Sequence, residues 1–401
     1  MRDYTELTRR LADLIVGYGA GVQPGQLVDV TSSTGKEELT REVTRAAYER
    51  GATYVDVLYW DPRLKRQRLL HGDPETFGYI PPWLHARIRH LSDEHGARIS
   101  LSGPVELDAF EGVPADRMGT DALPYLPETS EIIGLRTTNW CVAPAPTRAW
   151  AVAVYPQADP EEAYARLWDA VAHICRLDAD DPAEAWEARF AETTASAAKL
   201  TARRFDAIRV HGPGTDLTVG LLASSRWHAG GQETIDGLRH YPNIPSEETF
   251  TTPNPLRVDG YVSATMPLNL YGSIVNGIRI EFEQGRAVKI DAEDNAATLR
   301  SACTKDDGGT RLGELALVDR GGRIGPLETI FFDTLLDENA ASHIALGAGY
   351  LHGVESEADR QRVNSSQIHI DFMIGSPALD VDGITRDGGV IPLLRKGSWQ
   401  I

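Results

Sequence analysis

The fold class is decided by residues 27–59, which read LVDVTSSTGKEELTREVTRAAYERGATYVDVLY. A short apolar run at Leu27–Val30 ends in a polar turn, and the apolar residues of Lys36–Arg50 then recur at helical spacing. A β-rich run follows at Ala52–Tyr59. A strand, a helix and a second strand joined by short connections are typical of a right-handed βαβ unit. The segment therefore predicts an α/β fold for the N-terminal part of the chain.

The regions around this unit continue the alternation. Asp3–Gly17 has the apolar spacing of a helix, and the apolar runs Ile99–Leu101 and Trp150–Tyr155 are interpreted as further strands of the same sheet. Residues 160–199 contain few helix breakers and are predicted to be helical. We therefore expect an N-terminal α/β domain over residues 1–200. Its aromatic residues are expected to shape substrate access or a dimer contact; they are Trp60, Trp83, Trp140 and Trp150.

The second half of the chain changes to short β-prone segments. Examples are Ala207–Val210, Leu217–Leu222 and Ile278–Phe282, and Gln284-Gly285 is typical of a hairpin turn. We predict a mixed, β-rich C-terminal domain over residues 201–401. The predicted fold class is therefore α/β (α+β), with a βαβ-type domain followed by a β-rich domain.

Composition excludes several classes of protein. The 401 residues carry 40 Lys and Arg against 58 Asp and Glu, a net charge of −18. Such a chain repels nucleic-acid phosphate and anionic lipid, so neither is expected as a partner. No apolar run reaches the roughly 18 residues of a membrane helix, and the N-terminus lacks the apolar stretch of a signal peptide. Three separated cysteines, Cys141, Cys175 and Cys303, indicate neither a disulfide framework nor a thiolate zinc site. We expect a cytoplasmic protein.

Common catalytic motifs are missing from the sequence. It contains neither HExxH nor GxSxG. The glycines Gly17, Gly19 and Gly21 precede the first predicted strand, whereas a dinucleotide-binding loop follows one. No organic cofactor is predicted.

The informative residues lie in the last third of the chain. In the extended run Ile368–Met373, His369 and Asp371 are two residues apart and therefore point to one face of a strand. A hydrogen-bonded His–Asp pair in the core would explain this pattern. Two ligands of one metal ion, or of adjacent ions, would also explain it.

Four further candidates precede this strand. Glu314 interrupts the apolar stretch LGELAL, and a buried carboxylate normally has a cation partner. Glu338 and His343 lie five apart across small residues, and Glu248 follows the turn Asn-Ile-Pro. Taken singly, these could be a carboxylate on a surface strand, surface glutamates and a satisfied histidine. Taken with His369 and Asp371, they give four carboxylates and two imidazoles, a set that suits two divalent ions sharing a bridging carboxylate. Zinc, cobalt and manganese remain open.

The order of four motifs adds a family resemblance. NIPSEETFTTP, LGELALVD, DENAASHIALG and HIDFMIGS occur in this order, together with GPGTDL at Gly212–Leu217 and ALDVDG at Ala378–Gly383. The sequence resembles the thermophilic aminopeptidase family typified by aminopeptidase T and aminopeptidase S over most of its length. The stretch from Gly349 to His369 is shorter than is common in that family, which concerns pocket shape and substrate preference.

The resemblance implies a metal-dependent aminopeptidase that removes N-terminal amino acids from peptides through a hydroxide held by two metal ions, in a homodimer. It implies that the metal-ligand positions, with Glu314 as the bridge, are Glu248, Glu314, Glu338, His343, His369 and Asp371. Tyr350 matches a family tyrosine near the metals and could donate a hydrogen bond to the oxyanion, although it could also be a core tyrosine. Glu247 is the candidate general base, although it could equally be a solvated loop carboxylate.

Two other functions remain open from the sequence. An iron(II) ring-cleaving dioxygenase of the pyridine-diol type would need only two histidines and one carboxylate, here His343, His369 and Asp371. The three glutamates among the candidates would then be surplus. The other alternative is a metal-stabilised scaffold without catalytic activity, which an intact ligand set disfavours.

Overall fold

The computed structural model describes residues 3–124 and 126–401. Its helices in this part of the chain are α1 Thr5–Leu14, α2 Glu37–Glu49, α3 Pro62–His71, α4 Pro82–Asp93, α5 Ala115–Met118, α6 Pro127–Leu135, α7 Arg148–Val154, α8 Pro160–Ile174, α9 Pro182–Arg203, α10 Ala296–Cys303, α11 Thr334–Glu338 and α12 Glu357–Arg360.

The strands are β1 Leu27–Ser33, β2 Tyr54–Trp60, β3 Ala97–Ser102, β4 Asn139–Pro144, β5 Ala207–Gly212, β6 Thr215–Leu221, β7 Trp227–His228, β8 Gln232–Glu233, β9 Arg239–His240, β10 Glu248–Thr251, β11 Pro253–Ser263, β12 Leu268–Leu270, β13 Ser273–Val275, β14 Arg279–Glu283, β15 Arg286–Asp291, β16 Leu312–Val318, β17 His343–Gly347, β18 His369–Met373, β19 Asp380–Ile384, β20 Val390–Arg395 and β21 Ser398–Trp399. No helix among the described residues has both the length and the apolar character needed to cross a bilayer.

The chain divides into two compact units. The first comprises Met1–Ala188 and Gly231–Pro245, and the second comprises Arg189–Gly230 and Ser246–Ile401. The domains predicted from the sequence, residues 1–200 and 201–401, have a single boundary, and whether they correspond to independent domains stays a prediction.

The first unit contains a parallel four-stranded sheet in the order β2-β1-β3-β4. Strands β1 and β2 pair in parallel from Leu27 opposite Tyr54 to Ser33 opposite Trp60. The helix between them, α2, buries the apolar face that its spacing predicts, including Leu39, Val43 and Ala47. The βαβ unit predicted from residues 27–59 is therefore present. The fourth strand, β4, was not predicted.

One predicted strand is wrong. Trp150–Val154 lies in α7, and Tyr155 follows its end. The helix begins after Thr147 because the Thr147 hydroxyl accepts a hydrogen bond from the Trp150 amide (3.1 Å) and caps it. Trp150 is buried, and a Cβ at Gly103 would lie 2.7 Å from its ring. The expectation that Trp150 shapes substrate access or a dimer contact is therefore also wrong, because the indole is buried in the core of this unit.

The second unit contains two large antiparallel sheets and the small β12–β13 hairpin. One has eight strands in the order β15-β14-β11-β6-β5-β19-β20-β21, and the other has five in the order β18-β17-β16-β10-β7. Buried residues of both sheets, such as Val219 and Leu394 from the first and Leu315 and Phe372 from the second, form one hydrophobic core. The predicted hairpin joins β14 to β15. The β-rich character of the C-terminal half thus agrees with the sequence prediction.

Candidate metal centre

The five-stranded sheet has one apolar and one polar face. Along β16, Leu315 and Leu317 enter the core, and Ile344 of β17 and Phe372 of β18 point to the same side. Because side chains alternate across a strand, Glu314 must lie on the opposite face. The alternation that makes LGELAL and HIDFM pack against the core therefore also places their acidic and histidine residues together on the other side.

Strand register aligns these residues into rows. Ala345 of β17 lies between Glu314 of β16 and Asp371 of β18, since it pairs with both. His343 pairs with Ala316 on one side and is two residues from Ala345, so it shares their face. Glu248 of β10 pairs with Val318, which is four residues along β16 from Glu314, so Glu248 points to the same face. His369, the first residue of β18, pairs with Gly347 and also lies on this face.

Small residues keep the space above these rows open. Ala316 and Ala345 occupy the positions between the polar side chains, and neither fills the site. Gly347, opposite His369, has φ +110°, and a Cβ there would lie 2.1 Å from the carbonyl oxygen of Ile368. A larger residue at position 347 is therefore excluded by both the backbone conformation and the contact.

Both imidazoles are oriented by backbone carbonyls. His343 Nδ1 lies 3.1 Å from the carbonyl oxygen of Ala341, and His369 Nδ1 lies 2.8 Å from that of Ala348. A carbonyl can only accept, so each ring donates through Nδ1 and, when neutral, presents a lone pair on Nε2. This is the arrangement in which proteins prepare histidines as metal ligands.

Each Nε2 atom faces carboxylates. His343 Nε2 lies 3.0 Å from Glu248 Oε2, and His369 Nε2 lies 3.2 Å from Glu314 Oε2 and 3.3 Å from Asp371 Oδ1. Potential ligand atoms form three groups within 4.8 Å of one another, namely Glu248, Glu314 and His343; Glu314, His369 and Asp371; and Glu338, His343 and Asp371. The structure thus brings together all six side chains that the sequence singled out, and Glu338 joins them from the end of α11.

Two buried carboxylate oxygens test whether a cation fits. Glu248 Oε2 and Asp371 Oδ1 are buried, and their contacts with His343 Nε2 and His369 Nε2 do not have hydrogen-bond geometry, so neither oxygen accepts a hydrogen bond from the described residues. A buried, unsatisfied anionic oxygen is costly, and a bound cation would remove that cost. Oxygen and imidazole donors without thiolate suit divalent ions of the zinc, cobalt and manganese group. The residues present therefore fit a metal centre.

Burial and mutual repulsion shift the pKa values of the acids. Burial raises the pKa of Glu314 to about 7, and the neighbouring Glu248 and Asp371 add to the shift. Burial, followed by repulsion from Asp371, also raises the pKa of Glu338 well above its usual value. Without bound cations these carboxylates therefore compete for protons, as expected where several acids share a low-dielectric site.

The pKa values of the two histidines are also raised. Burial opposes their charge, but the Glu248 carboxylate raises the pKa of His343 to about 10, and Asp371 raises the pKa of His369 well above its usual value. Burial likewise opposes the charge of Asp371, yet the nearby His369 lowers the pKa of this carboxyl. The metal-free cluster therefore holds protons on its imidazoles, which metal ions would have to displace.

Tyr350 lies at the edge of the cluster. Its hydroxyl is 3.5 Å from His369 Nε2, and its ring packs edge-on against Phe250 with 5.6 Å between centroids. Burial raises the pKa of Tyr350, so the hydroxyl stays protonated and can act as a donor.

Glu247 is buried, in contrast to the solvated carboxylate considered as an alternative. Its Oε2 lies 2.5 Å from Arg189 Nε, and Arg189 also pairs with Asp319 at 2.7 Å. Its role as a general base stays a prediction.

Sequence reasoning missed a buried amide that links two ligand segments. Asn339, which follows Glu338, is fully buried; its Oδ1 accepts from the Glu247 amide (2.6 Å) and its Nδ2 donates to the Leu335 carbonyl (2.9 Å). This bridge ties the end of α11 to the start of β10. Nothing local in DENAAS distinguishes this asparagine from a loop residue, so only the fold reveals it.

Comparison with known proteins gives matches over the whole length. The sequence model of the thermophilic metalloprotease family (M29) matches residues 4–399. The chain is 39% identical to aminopeptidase T of Thermus aquaticus, with 100% of both chains covered. It is 34% identical to aminopeptidase PepS of Streptococcus thermophilus, with 100% of this chain and 99% of that one covered.

Solved structures agree. Wild-type AmpT from Thermus thermophilus superposes with a TM-score of 0.90 at 39% identity, with 100% of both chains covered. A 2,5-dihydroxypyridine dioxygenase from Pseudomonas putida KT2440 gives a TM-score of 0.53 at 15% identity over 98% of this chain and 96% of that one, a likeness of fold alone. The predicted fold class and the predicted activity, a metal-dependent aminopeptidase acting as a peptide hydrolase, are confirmed by these matches. The chain therefore belongs to the thermophilic metalloprotease (M29) family, as its four motifs predicted.

Proposed function

We propose that this aminopeptidase works with two divalent metal ions held in the cluster on the polar face of the five-stranded sheet. The observation that carries the proposal is the charge of the site. Four carboxylates converge there with two imidazoles, and in the described part of the chain no Lys or Arg forms an ion pair with them. Two divalent ions would balance four negative charges, whereas one would leave a buried surplus.

The grouping of the potential ligand atoms suggests which residues would hold each ion. Glu248, Glu314 and His343 would hold one ion, and Glu314, His369 and Asp371 the other, so that Glu314 bridges them. Glu338 shares its group with His343 and Asp371 and would complete the coordination of the ion held by Glu248, Glu314 and His343. The donor set fits zinc, cobalt or manganese.

The chemistry assigned to the bound ions is the supply of a nucleophilic water with lowered pKa and the polarisation of the scissile carbonyl. The chain itself fixes the ligand rings through the carbonyls of Ala341 and Ala348. It also buries Glu248, Glu314 and His343 away from bulk water. The Tyr350 hydroxyl would donate a hydrogen bond to the carbonyl oxygen of the substrate, which becomes negative as the carbonyl carbon turns tetrahedral. A free α-amino group distinguishes an N-terminal residue from an internal one, and we propose that the site selects its substrates through that amine.

Glu247 is proposed as the group that accepts the proton of the attacking water. The contact with Arg189 offers a competing role, in which the buried ion pair fixes the start of β10 and thereby Glu248. Glu247→Gln separates the two roles. Loss of turnover at full metal content supports a base, whereas loss of metal supports an anchor.

The experiment that tests the proposal combines metal quantification with a panel of aminoacyl p-nitroanilides, measured before and after chelation and again after zinc, cobalt or manganese is restored. We expect two ions per chain, turnover that disappears on chelation, and no turnover of the N-acetylated substrates used as matched controls. A single ion per chain with full activity would contradict the two-metal proposal. Iron-dependent cleavage of a pyridine diol without peptidase activity would favour the dioxygenase alternative.

We also propose a cytoplasmic homodimer. Three free, buried cysteines, Cys141, Cys175 and Cys303, fit a reducing compartment. The dimer rests on the family resemblance alone and is tested by light scattering coupled to size-exclusion chromatography, where a mass of one chain would contradict it.

A further inference from the structure

The backbone of Tyr350 is held by one buried hydroxyl. Thr252 Oγ1 donates to the Tyr350 carbonyl oxygen (2.9 Å) and accepts from the Tyr350 amide (3.2 Å). The two bonds close a ring around a single residue and fix both of its backbone polar groups. Thr252 is fully buried, so water cannot replace this hydroxyl without rearrangement.

The loop around Tyr350 is shaped to the same threonine. A Cβ at Gly353 would lie 2.2 Å from Thr252 Oγ1, and a Cβ at Gly349 would lie 3.1 Å from its Cγ2. The Gly353 amide also donates to the Tyr350 carbonyl (3.0 Å). Residues 349–353 therefore pack closely against Thr252. A side chain at position 353 would clash with the Thr252 hydroxyl, and one at position 349 would be a tight contact.

Thr252 is itself fixed by the strand that carries a proposed metal ligand. It follows directly after β10, four residues beyond Glu248, and its carbonyl accepts from the Ser225 hydroxyl (2.9 Å). Phe250 of the same strand packs against the Tyr350 ring. One short segment thus sets the position of Glu248 and holds both the backbone and the ring of Tyr350.

We propose that Thr252 is a positioning residue for the reaction, which holds the Tyr350 hydroxyl at the metal cluster by fixing the Tyr350 backbone. The inference rests on the proposed role of Tyr350. It differs from a general stabilising role because its effect on turnover must pass through the phenol. A displacement of about 1 Å in a catalytic group is enough to cost roughly 10²-fold in rate.

The test is a double-mutant cycle with Thr252→Val and Tyr350→Phe, measured as kcat, KM and metal content with an aminoacyl p-nitroanilide. Thr252→Val keeps the shape and removes the hydroxyl. We expect Tyr350→Phe to lower kcat by roughly 10²-fold or more, and Thr252→Val to lower it by about tenfold at unchanged metal content and with KM within about twofold. In the Tyr350→Phe background, Thr252→Val should have no further effect.

Two controls separate positioning from structure. Thr251→Val removes a neighbouring buried hydroxyl, which donates to the Arg226 carbonyl (2.9 Å) and not to Tyr350, and should leave kcat within about twofold. Thr252→Ser keeps the hydroxyl and should restore kcat to within about twofold of the unmodified enzyme. If Thr252→Val does not fold, Thr252→Ala compared with Thr252→Ser answers the same question.

The outcomes distinguish the two claims. An equal kcat loss from Thr252→Val with and without the Tyr350 hydroxyl, or equal kcat values for Thr252→Ser and Thr252→Ala, would overturn the positioning role and leave the role of Tyr350 intact. An unchanged kcat in Tyr350→Phe would overturn the proposed oxyanion donor, and the positioning role with it.

Discussion

Two buried carboxylates, one from each unit, have opposite surroundings. In the first, Asp29 of β1 is 2% exposed and is paired with two guanidinium groups, from Arg87 at 2.6 Å and Arg98 at 2.5 Å. In the second, Glu314 is 4% exposed and faces His369, Glu248 and Asp371. Burial raises the pKa of both acids, because the loss of water destabilises the charged form of each carboxylate.

This difference distinguishes a structural charge from a binding site. Asp29 receives its counter-charge from the chain and is complete when the chain folds. The cluster around Glu314 brings carboxylates together with imidazoles, and cations from outside would balance its charge. A buried acid surrounded by arginines therefore indicates a structural ion pair, and buried acids surrounded by acids and histidines indicate a metal centre.

The largest effect is expected from Glu314→Gln. A neutral amide cannot bridge two cations, so metal content and turnover should both be lost, turnover by at least about 10³-fold, more than the roughly 10–100-fold typical of an outer hydrogen-bond partner. Metal analysis and initial rates measure this. Glu281→Gln, at an exposed carboxylate paired with Lys289, is the matched control and should behave like the parent enzyme. A metal-replete, active Glu314→Gln enzyme would refute the bridging role.

Asp29→Asn should have the complementary effect. It leaves the largely buried Arg98 guanidinium without its carboxylate and leaves Arg87 with Asp56 as its acidic partner, which costs about 3–5 kcal/mol of unfolding free energy, while the cluster of the other unit keeps its metal. Chemical denaturation and metal analysis are the measurements. Asp216→Asn removes the partner of Arg209 in an exposed pair and should cost less than about 1 kcal/mol. Equal costs for the two variants would show that Asp29 is no structural ion pair.

Removal of metal should destabilise the protein. Ions that bind only the folded state add about 4.1 kcal/mol when free metal is 1,000 times its Kd, so chelation should lower the Tm. Glu314→Gln should make the Tm insensitive to chelator. Thermal melts with and without chelator test this, and a parent protein whose Tm does not respond would argue against metal-coupled stability.

The smallest effect concerns an uncharged buried group, His240 of the first unit. The imidazole is 2% exposed, and burial lowers its pKa from 6.5 to about 4. Because the folded-state pKa is depressed, the stability from the neutral ring is present above pH 6.5 and is lost as the pH falls towards 4, by about 3 kcal/mol.

His240→Phe should flatten this part of the stability curve, and His90→Gln, at an exposed histidine, should not. Denaturation midpoints between pH 4 and 7 provide the measurement. An unchanged slope in His240→Phe would mean that other groups cause the acid sensitivity.

The parts of the fold that follow from local pattern were predictable. Periodicity in residues 27–59 predicted the parallel βαβ unit, and strict alternation in HIDFM placed His369 and Asp371 on one face. Trp150–Tyr155 was misjudged as a strand because an apolar run has no periodicity of its own, and the cap from Thr147 decided for a helix.

The sequence by itself determined the kinds of ligand available, the strand faces that carry them and the family to which the chain belongs. Only the tertiary structure decided that β10, β16, β17 and β18 pair in an order that brings Glu248, Glu314, His343 and Asp371 together, and that Asp29 receives arginines where Glu314 does not. The physical reason is that the alternation of side chains is a local property of the backbone. Burial, charge balance and the hydrogen bonds between Thr252 and Tyr350 depend instead on contacts between segments far apart in the chain.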